Sequence, residues 1–198
     1  MGRKKKYQFD QLVHQGVALF RQGGYHATGS KEIVKSLGIP KGTFYSHFKS
    51  KEQYALLVLQ RYIADTKEFM DKMLYQSEEL SPAKRLKEFY QALALFFTSE
   101  GCAYGCLLNN FSLEVASTTP SLQQLISEGH QQFIAKIEPC VHLAQEQKEF
   151  RTDLASWDLT YALHTAFDGA IVKMKGAGNH YPLKHFLDTT FGLLTGYK

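Results

Sequence analysis

Apolar residues recur every third or fourth position along almost the whole chain, and no useful stretch alternates apolar with polar residues. A spacing of three and four lines up side chains on one face of a helix, whereas a half-buried strand needs a period of two. The chain is therefore read as all-α, with about nine helices. Phe9, Leu12, Val13, Val17 and Phe20 form the first stripe, which Gly23-Gly24 closes. Ser30 is placed to cap a short helix from Lys31 to Leu37, Gly38 to end it in a left-handed conformation, and Pro40 to open a second short helix from Lys41 to Phe48. Ser50-Lys51-Glu52-Gln53 reads as a capping box at the head of a long helix. Ser81-Pro82, Thr119-Pro120, Ser156 (as a cap) and Pro182 mark later starts. A helix is expected from Cys106 to Ala116, and Pro139 is expected to kink or divide the helix that holds it. The reading gives an N-terminal three-helix domain, residues 1–50, and a larger helical body, residues 51–198, joined by the helix that begins at Lys51.

Of the 198 residues, 44% are hydrophobic, enough for a sizeable core. The longest apolar runs, such as Ala92 to Phe97, fall far short of the roughly 20 residues that span a bilayer, so no membrane association is expected. A basic N-terminus with no apolar segment behind it does not read as an export signal, and a cytoplasmic location follows. Cys102, Cys106 and Cys140 are an odd number and lack zinc-site spacing, so reduced thiols are expected, with no metal and no cofactor. No nucleophile elbow, phosphate loop or metalloprotease pattern occurs, so the chain is not read as an enzyme. Charge is informative: residues 1–61 hold eleven Lys and Arg against Asp10, Glu32 and Glu52, a surplus of eight, while the remainder carries a deficit of four. A basic module of that kind faces a polyanion.

Between Gly29 and Lys51 the sequence GSKEIVKSLGIPKGTFYSHFKSK lays two short helices around a glycine-containing turn, the layout of a helix-turn-helix. At 100° per residue, Phe44 and Phe48 share one side of the second helix and anchor it. Gly42, Thr43 and Ser46 fall on the other side, where small side chains allow close approach to base edges in a major groove. Tyr45 and His47 flank that face, and Lys51 adds a cation at the next helix start. The arm Arg3-Lys4-Lys5-Lys6 reads either as a phosphate or minor-groove contact or as a solvated tail.

The string Gly38-Ile-Pro-Lys-Gly-Thr-Phe-Tyr-Ser-His-Phe-Lys-Ser-Lys-Glu52 resembles the signature of the TetR family of bacterial transcription regulators. The resemblance implies a DNA-binding domain followed by a ligand-binding and dimerisation domain of roughly six helices. It implies a homodimer on a palindromic double-stranded DNA operator, most often a repressor released by a small-molecule inducer. By position it makes Ser30, Lys31, Lys41, Gly42, Thr43, Tyr45, His47 and Lys51 candidates for DNA contact, and Ser46 joins them from its face. Pro40 stands where many members carry a Ser or Thr cap. A helical interaction module without DNA binding and an activator remain the alternatives.

Gly105-Cys-Leu-Leu-Asn-Asn-Phe-Ser-Leu-Glu-Val-Ala116 is similar to a branch of that family that includes repressors responsive to quinones and other electrophiles. In that light Cys106, at a helix start whose dipole favours a thiolate, is a candidate for modification, and Lys175 aligns with a lysine of the branch. A small buried core residue is the other reading of Cys106. Tyr90, Phe97, Phe111, Phe133, Trp157, Tyr161, His164 and Phe167 lie on helices that border the family's ligand pocket. His164 and Asp168, four apart, are either polar ligand contacts or a local pair. Gly169, Ala170, Ile171, Phe186, Leu187, Phe191 and Leu194 are the expected dimer-interface residues. Ligand binding or thiol modification would shift the dimer toward a state with the wrong recognition-helix spacing, with the helix from Lys51 as lever.

Overall fold

The computed structural model describes residues 9–76, 79–99 and 101–197, so the basic arm at Arg3 to Lys6 lies outside the described residues. All regular structure among them is helical: α1 (Phe9–Gly23), α2 (Ser30–Leu37), α3 (Lys41–Phe48), α4 (Lys51–Tyr75), α5 (Pro82–Ser99), α6 (Leu107–Glu114), α7 (Pro120–Glu146), α8 (Ser156–Ala177), α9 (Tyr181–His185), a π-helical turn (Phe186–Thr190) and α10 (Phe191–Thr195). The last three run into one another.

The helix ends follow local chemistry, with some shifts from the sequence reading. Gly38 closes α2 at φ 63°, where a side chain would be strained. Ser50 caps α4, its hydroxyl accepting from Gln53 N at 3.0 Å. Ser30 is not a cap: Gly29 is the extended residue, its carbonyl already accepts from Ile33 N, and Ser30 is the first helical residue. Pro40 is likewise the extended residue before α3. Ala155 precedes α8, and Ser156 is helical, its hydroxyl turned to the Glu138 carboxylate. The helix expected from Cys106 to Ala116 starts at Leu107 and ends at Glu114, because Val115 leaves helical geometry. Pro139 does not divide α7. Ala135, whose carbonyl loses its partner, lies on the exposed side with Pro139, where water can replace the missing bond.

Two packed centres share α4. In the first, Phe20, Phe44, Phe48 and Tyr54 are fully buried, with Phe48 and Tyr54 ring centroids 4.7 Å apart. The Tyr54 hydroxyl donates to the Leu12 carbonyl at 2.8 Å. A Cβ on Gly16 would overlap Tyr54 and Val58, so glycine is what lets α1 lie so close to α4. In the second centre α4 packs with α5 and α7, and α7 in turn with α8, through residues such as Leu74, Phe89, Ile137 and Leu163. Burying each such side chain stabilises the fold by roughly 1.5–3 kcal/mol. The π turn widens the C-terminal helix by one residue per turn, so Phe186 and Phe191, five apart, both face inward onto Tyr90 at 5.3 and 6.1 Å. Among the described residues no helix is long and apolar enough to cross a membrane.

Candidate nucleic-acid interface and the groove behind it

The recognition helix α3 is held from one side only. Phe44 and Phe48 are buried, against Tyr54 at 5.5 and 4.7 Å. Its remaining surface is open: Lys41, Gly42, Tyr45, Ser46 and His47 are exposed and Thr43 is half-buried. Nothing lies within 4 Å of a Cβ built on Gly42, so this part of α3 meets solvent with the smallest possible side chain. The Ser46 hydroxyl donates to the Thr43 carbonyl at 2.8 Å, and the Lys41 ammonium sits 5.8 Å from the Tyr45 ring. Lys31 is exposed on α2 and Ser30 half-buried. All eight are thus exposed or half-buried, six on α3 and two at the start of α2. Lys51 differs. It is half-buried with its ammonium 4.1 Å from the Tyr25 ring, and burial lowers its pKa while Glu114 acts to raise it.

That lysine belongs to a junction between the N-terminal helices and the body, centred on α6. The Glu114 carboxylate accepts from the backbone N–H of Tyr25 at 2.8 Å and of His26 at 3.0 Å. The Glu114 carbonyl accepts from His26 Nε2 at 2.9 Å, which fixes the hydrogen on that nitrogen. Gly24, at φ 73°, leaves room for the carboxylate that a Cβ would displace. Phe111 is fully buried, 5.5 Å from Phe20 and 5.7 Å from Tyr25. Arg21 is buried, donates to the Gly105 carbonyl at 2.9 Å and stacks on Phe96. At its other end α6 is tied to the body. Asn109 Nδ2 donates to Asp168 at 3.0 Å, Lys175 donates to Asn110 Oδ1 at 3.1 Å, and Asn110 Nδ2 donates to the Tyr104 carbonyl.

Cys106 occupies the N-cap of α6, as its place in the sequence suggested. The thiol is buried, and that burial, reinforced by the Asp168 charge, pushes its pKa up to about 11. The Tyr62 hydroxyl donates to the sulfur at 3.3 Å and acts the other way without prevailing. A helix dipole contributes about 1 kcal/mol at its end, less than the cost of ionising a fully desolvated group. Lys175 reaches the same turn through Asn110.

The ten expected ligand residues separate into three sets. Tyr90, Phe97, Phe133 and Phe167 are core, with Tyr90 and Phe167 centroids 5.0 Å apart. Phe111 and Cys106 belong to the α6 junction. Trp157, Tyr161, His164 and Asp168 line an open groove of about 900 Å³ between α7 and α8, together with Glu128, His130 and Ile134. Trp157 and Tyr161 are 46% and 59% exposed, as groove walls rather than core. At the floor, Asp168 Oδ2 lies 3.9 Å from His130 Nδ1 and 4.0 Å from His164 Nε2. The Tyr90 hydroxyl is 3.5 Å from His164 Nδ1. Among the described residues no group of three His, Cys, Asp or Glu is placed to hold a metal ion.

Of the expected interface residues, Ala170, Ile171, Phe186 and Phe191 are buried in the protomer itself, Leu187 and Leu194 are half-buried, and Gly169 is exposed. Helical spacing identified an apolar face but not which side of it the protomer's own core covers. The exposed apolar groups nearby are Val172, Tyr181 and Leu193. Glu114, Tyr25, His26, Arg21, Tyr62, Asn109 and His130 were not singled out by sequence. Asn109 and Asn110 inside an apolar run are the one local signal among them.

The fold and its parts match known proteins. Residues 12–56 match the family model for bacterial regulatory proteins of the tetR family, and residues 82–190 match that for the tetracyclin repressor-like C-terminal domain. The HTH-type transcriptional repressor DhaR of Mycobacterium sp. (strain GP1) is 31% identical over 183 residues, covering 92% of this chain and 90% of its own. The repressor NemR of Escherichia coli (strain K12) is 26% identical over 178 residues, covering 90% and 89%. Among solved structures, a TetR regulatory protein from Rhodobacter sphaeroides superposes with TM-score 0.87 at 24% identity, covering 94% of this chain and 97% of that one. A cysteine mutant of the TetR-family regulator CifR, complexed with 26 bp double-strand operator DNA, has the same fold at TM-score 0.82 and 17% identity, covering 96% and 98%. An exposed recognition helix on a basic three-helix unit, a helical body behind it and both family models lead to one conclusion: the chain belongs to the TetR family of DNA-binding transcriptional regulators.

Proposed function

We propose that this chain is a cytoplasmic repressor that works as a homodimer on a palindromic operator and leaves it when a small molecule enters the body. The observation that carries this reading is the bonding of α6 at both ends. Asn109 is tied to Asp168 at the floor of the α7–α8 groove, and Glu114 is tied to Tyr25 and His26 in the DNA-binding unit. A ligand that bonds the free oxygen of Asp168 draws on the carboxylate that also holds Asn109, and a displacement of α6 is felt at α1 through Glu114 and Phe111. The long helix α4, which packs on both α1 and α7, then carries the recognition helix to another separation from its mate. The dimer seam in this reading uses α8 with the C-terminal helices, where Gly169, Lys173, Tyr181 and His185 border a shallow groove that a second copy would fill. A reversible ligand is favoured over direct thiol chemistry, because Cys106 is buried and held protonated.

The test is fluorescence anisotropy on the chain's own upstream intergenic DNA, with unrelated DNA as competitor and a salt series. Competitor-resistant binding, two chains per half-site pair and a steep salt slope are expected. Binding no stronger than to unrelated DNA, or one chain per site, would overturn the reading. Glu114→Ala adds a check on the relay: amide exchange at Tyr25 and His26 should rise about tenfold or more, since both backbone N–H groups lose their acceptor.

A further inference from the structure

We infer that the α7–α8 groove binds an organic cation, specifically an aromatic or alkyl ammonium. This rests on the effector reading above and names the ligand class of that site. Ser112 donates its hydroxyl hydrogen to the Leu108 carbonyl at 2.8 Å, so at 3.4 Å its oxygen can only accept from His130 Nε2. Neutral His130 thus carries its hydrogen on Nε2 and turns a bare Nδ1 toward the groove floor. There it faces Asp168 Oδ2 at 3.9 Å, one acceptor opposite another, with no hydrogen between them. Asp168 Oδ1 is already engaged by Asn109, so Oδ2 is the oxygen left for a ligand. His164, with 7% of its side chain exposed, also borders the groove, and its Nε2 has no hydrogen-bond partner among the described residues.

Two acceptors converging on one point call for a donor that brings positive charge. The walls agree with that choice. Glu128 and Asp168 line the groove and no Lys or Arg does, so its charge is negative. Trp157 and Tyr161, one turn apart on α8, are half-exposed rings whose faces attract cations, and Ile134 supplies an apolar side for the rest of the molecule. The volume of about 900 Å³ suits a drug-sized ligand. An anionic ligand would meet two carboxylates, while Lys67, held on the lining Gln132 at 2.9 Å, does not itself line the groove.

The probes are 4-phenylbutylammonium, 4-phenylbutanol and 4-phenylbutyrate, which share a ring and chain and differ in charge. Trp157 is the only tryptophan in the chain, so its fluorescence reports the groove directly. Saturable binding of the ammonium is expected, about tenfold or more tighter than the alcohol, with the anion weakest. Asp168→Asn should remove that preference while keeping a carbonyl acceptor for Asn109. Tyr161→Ala, an exposed position, should weaken the ammonium about two- to fivefold. Equal or tighter binding of the alcohol or the anion, a preference that survives in Asp168→Asn, or no binding of the ammonium at millimolar concentration would each overturn the inference. The titration needs no DNA, so it fails or succeeds apart from operator release. If the ammonium binds but never loosens operator DNA, the site stands and the effector reading falls.

Discussion

Helices α3 and α6 are each eight residues long, and they use their side chains in opposite ways. In α3 two phenylalanines are buried and the remaining surface is left to solvent, with a side chain–backbone bond from Ser46 to Thr43 in the same helix. In α6 five consecutive residues, Leu107 to Phe111, are buried. Its polar groups bond outward, to Asp168 on α8, to the Tyr104 carbonyl, and to the backbone after α1. A helix anchored along one stripe can present the rest of itself to an outside partner. A helix buried along Leu107 to Phe111, with only Leu113 exposed, leaves little such face, and it can move only if several bonded neighbours move with it. Contact with DNA and transmission of a signal demand different local chemistry, and in the proposed function they fall to different helices.

The largest effect that separates the two is on stability. Phe111→Ala leaves a cavity where the ring meets Phe20 and Tyr25, and should cost about 3–5 kcal/mol by urea unfolding. Tyr45→Ala, on the exposed side of α3, should stay within about 0.5 kcal/mol of the parent. Similar costs at the two sites would mean that α6 is not the packed junction it is taken for. DNA affinity should reverse the order. Gly42→Glu meets open space, so the fold persists, but a carboxylate now faces phosphate and affinity for operator DNA should drop about a hundredfold or more. A Gly42→Glu protein that binds as tightly as the parent would remove α3 from the interface.

This division explains what could be read before the structure was known. The outward residues of α3 were legible because a local period of 3.6 and two aromatic anchors suffice to orient an eight-residue helix. The helix order was legible for the same reason, down to Gly38 and Ser50 at their termini. The caps at Ser30 and Ser156 were misplaced by one residue, since Gly29 and Ala155 adopt the extended geometry and the serines then fall inside the helix. The junction was not legible. Glu114 and Tyr25 are 89 positions apart, and no periodicity links a carboxylate to a backbone N–H at that range. Cys106 shows the same limit: sequence offers both the dipole that lowers a thiol pKa and the burial that raises it, but not which prevails. For Trp157 and Tyr161, an apolar stripe does not say whether a ring faces a core or a groove.

The smallest effect concerns protons beside α6. His130 is pushed below the usual imidazole pKa of 6.5, first by burial and also by neighbouring His164, against an opposing pull from Asp168. The folded protein therefore holds His130 neutral more strongly than the unfolded chain does. Below pH 6.5 the unfolded chain takes up the proton first, so the stability tied to this group is complete above that value and is lost as pH falls through the depressed folded pKa. The melting temperature should decline by about a degree or two from this cause between pH 7 and 5. His130→Gln can still donate toward Ser112 but does not titrate, so it should flatten that part of the decline. The other groups facing His130 and Asp168 are His164, Tyr90 and Cys106, from α8, α5 and the α6 cap, and His164→Gln separates the second imidazole from the first. If both variants keep the parent's slope, burial does not hold these imidazoles neutral, and α6 is less sealed from solvent on that side than its contrast with α3 requires.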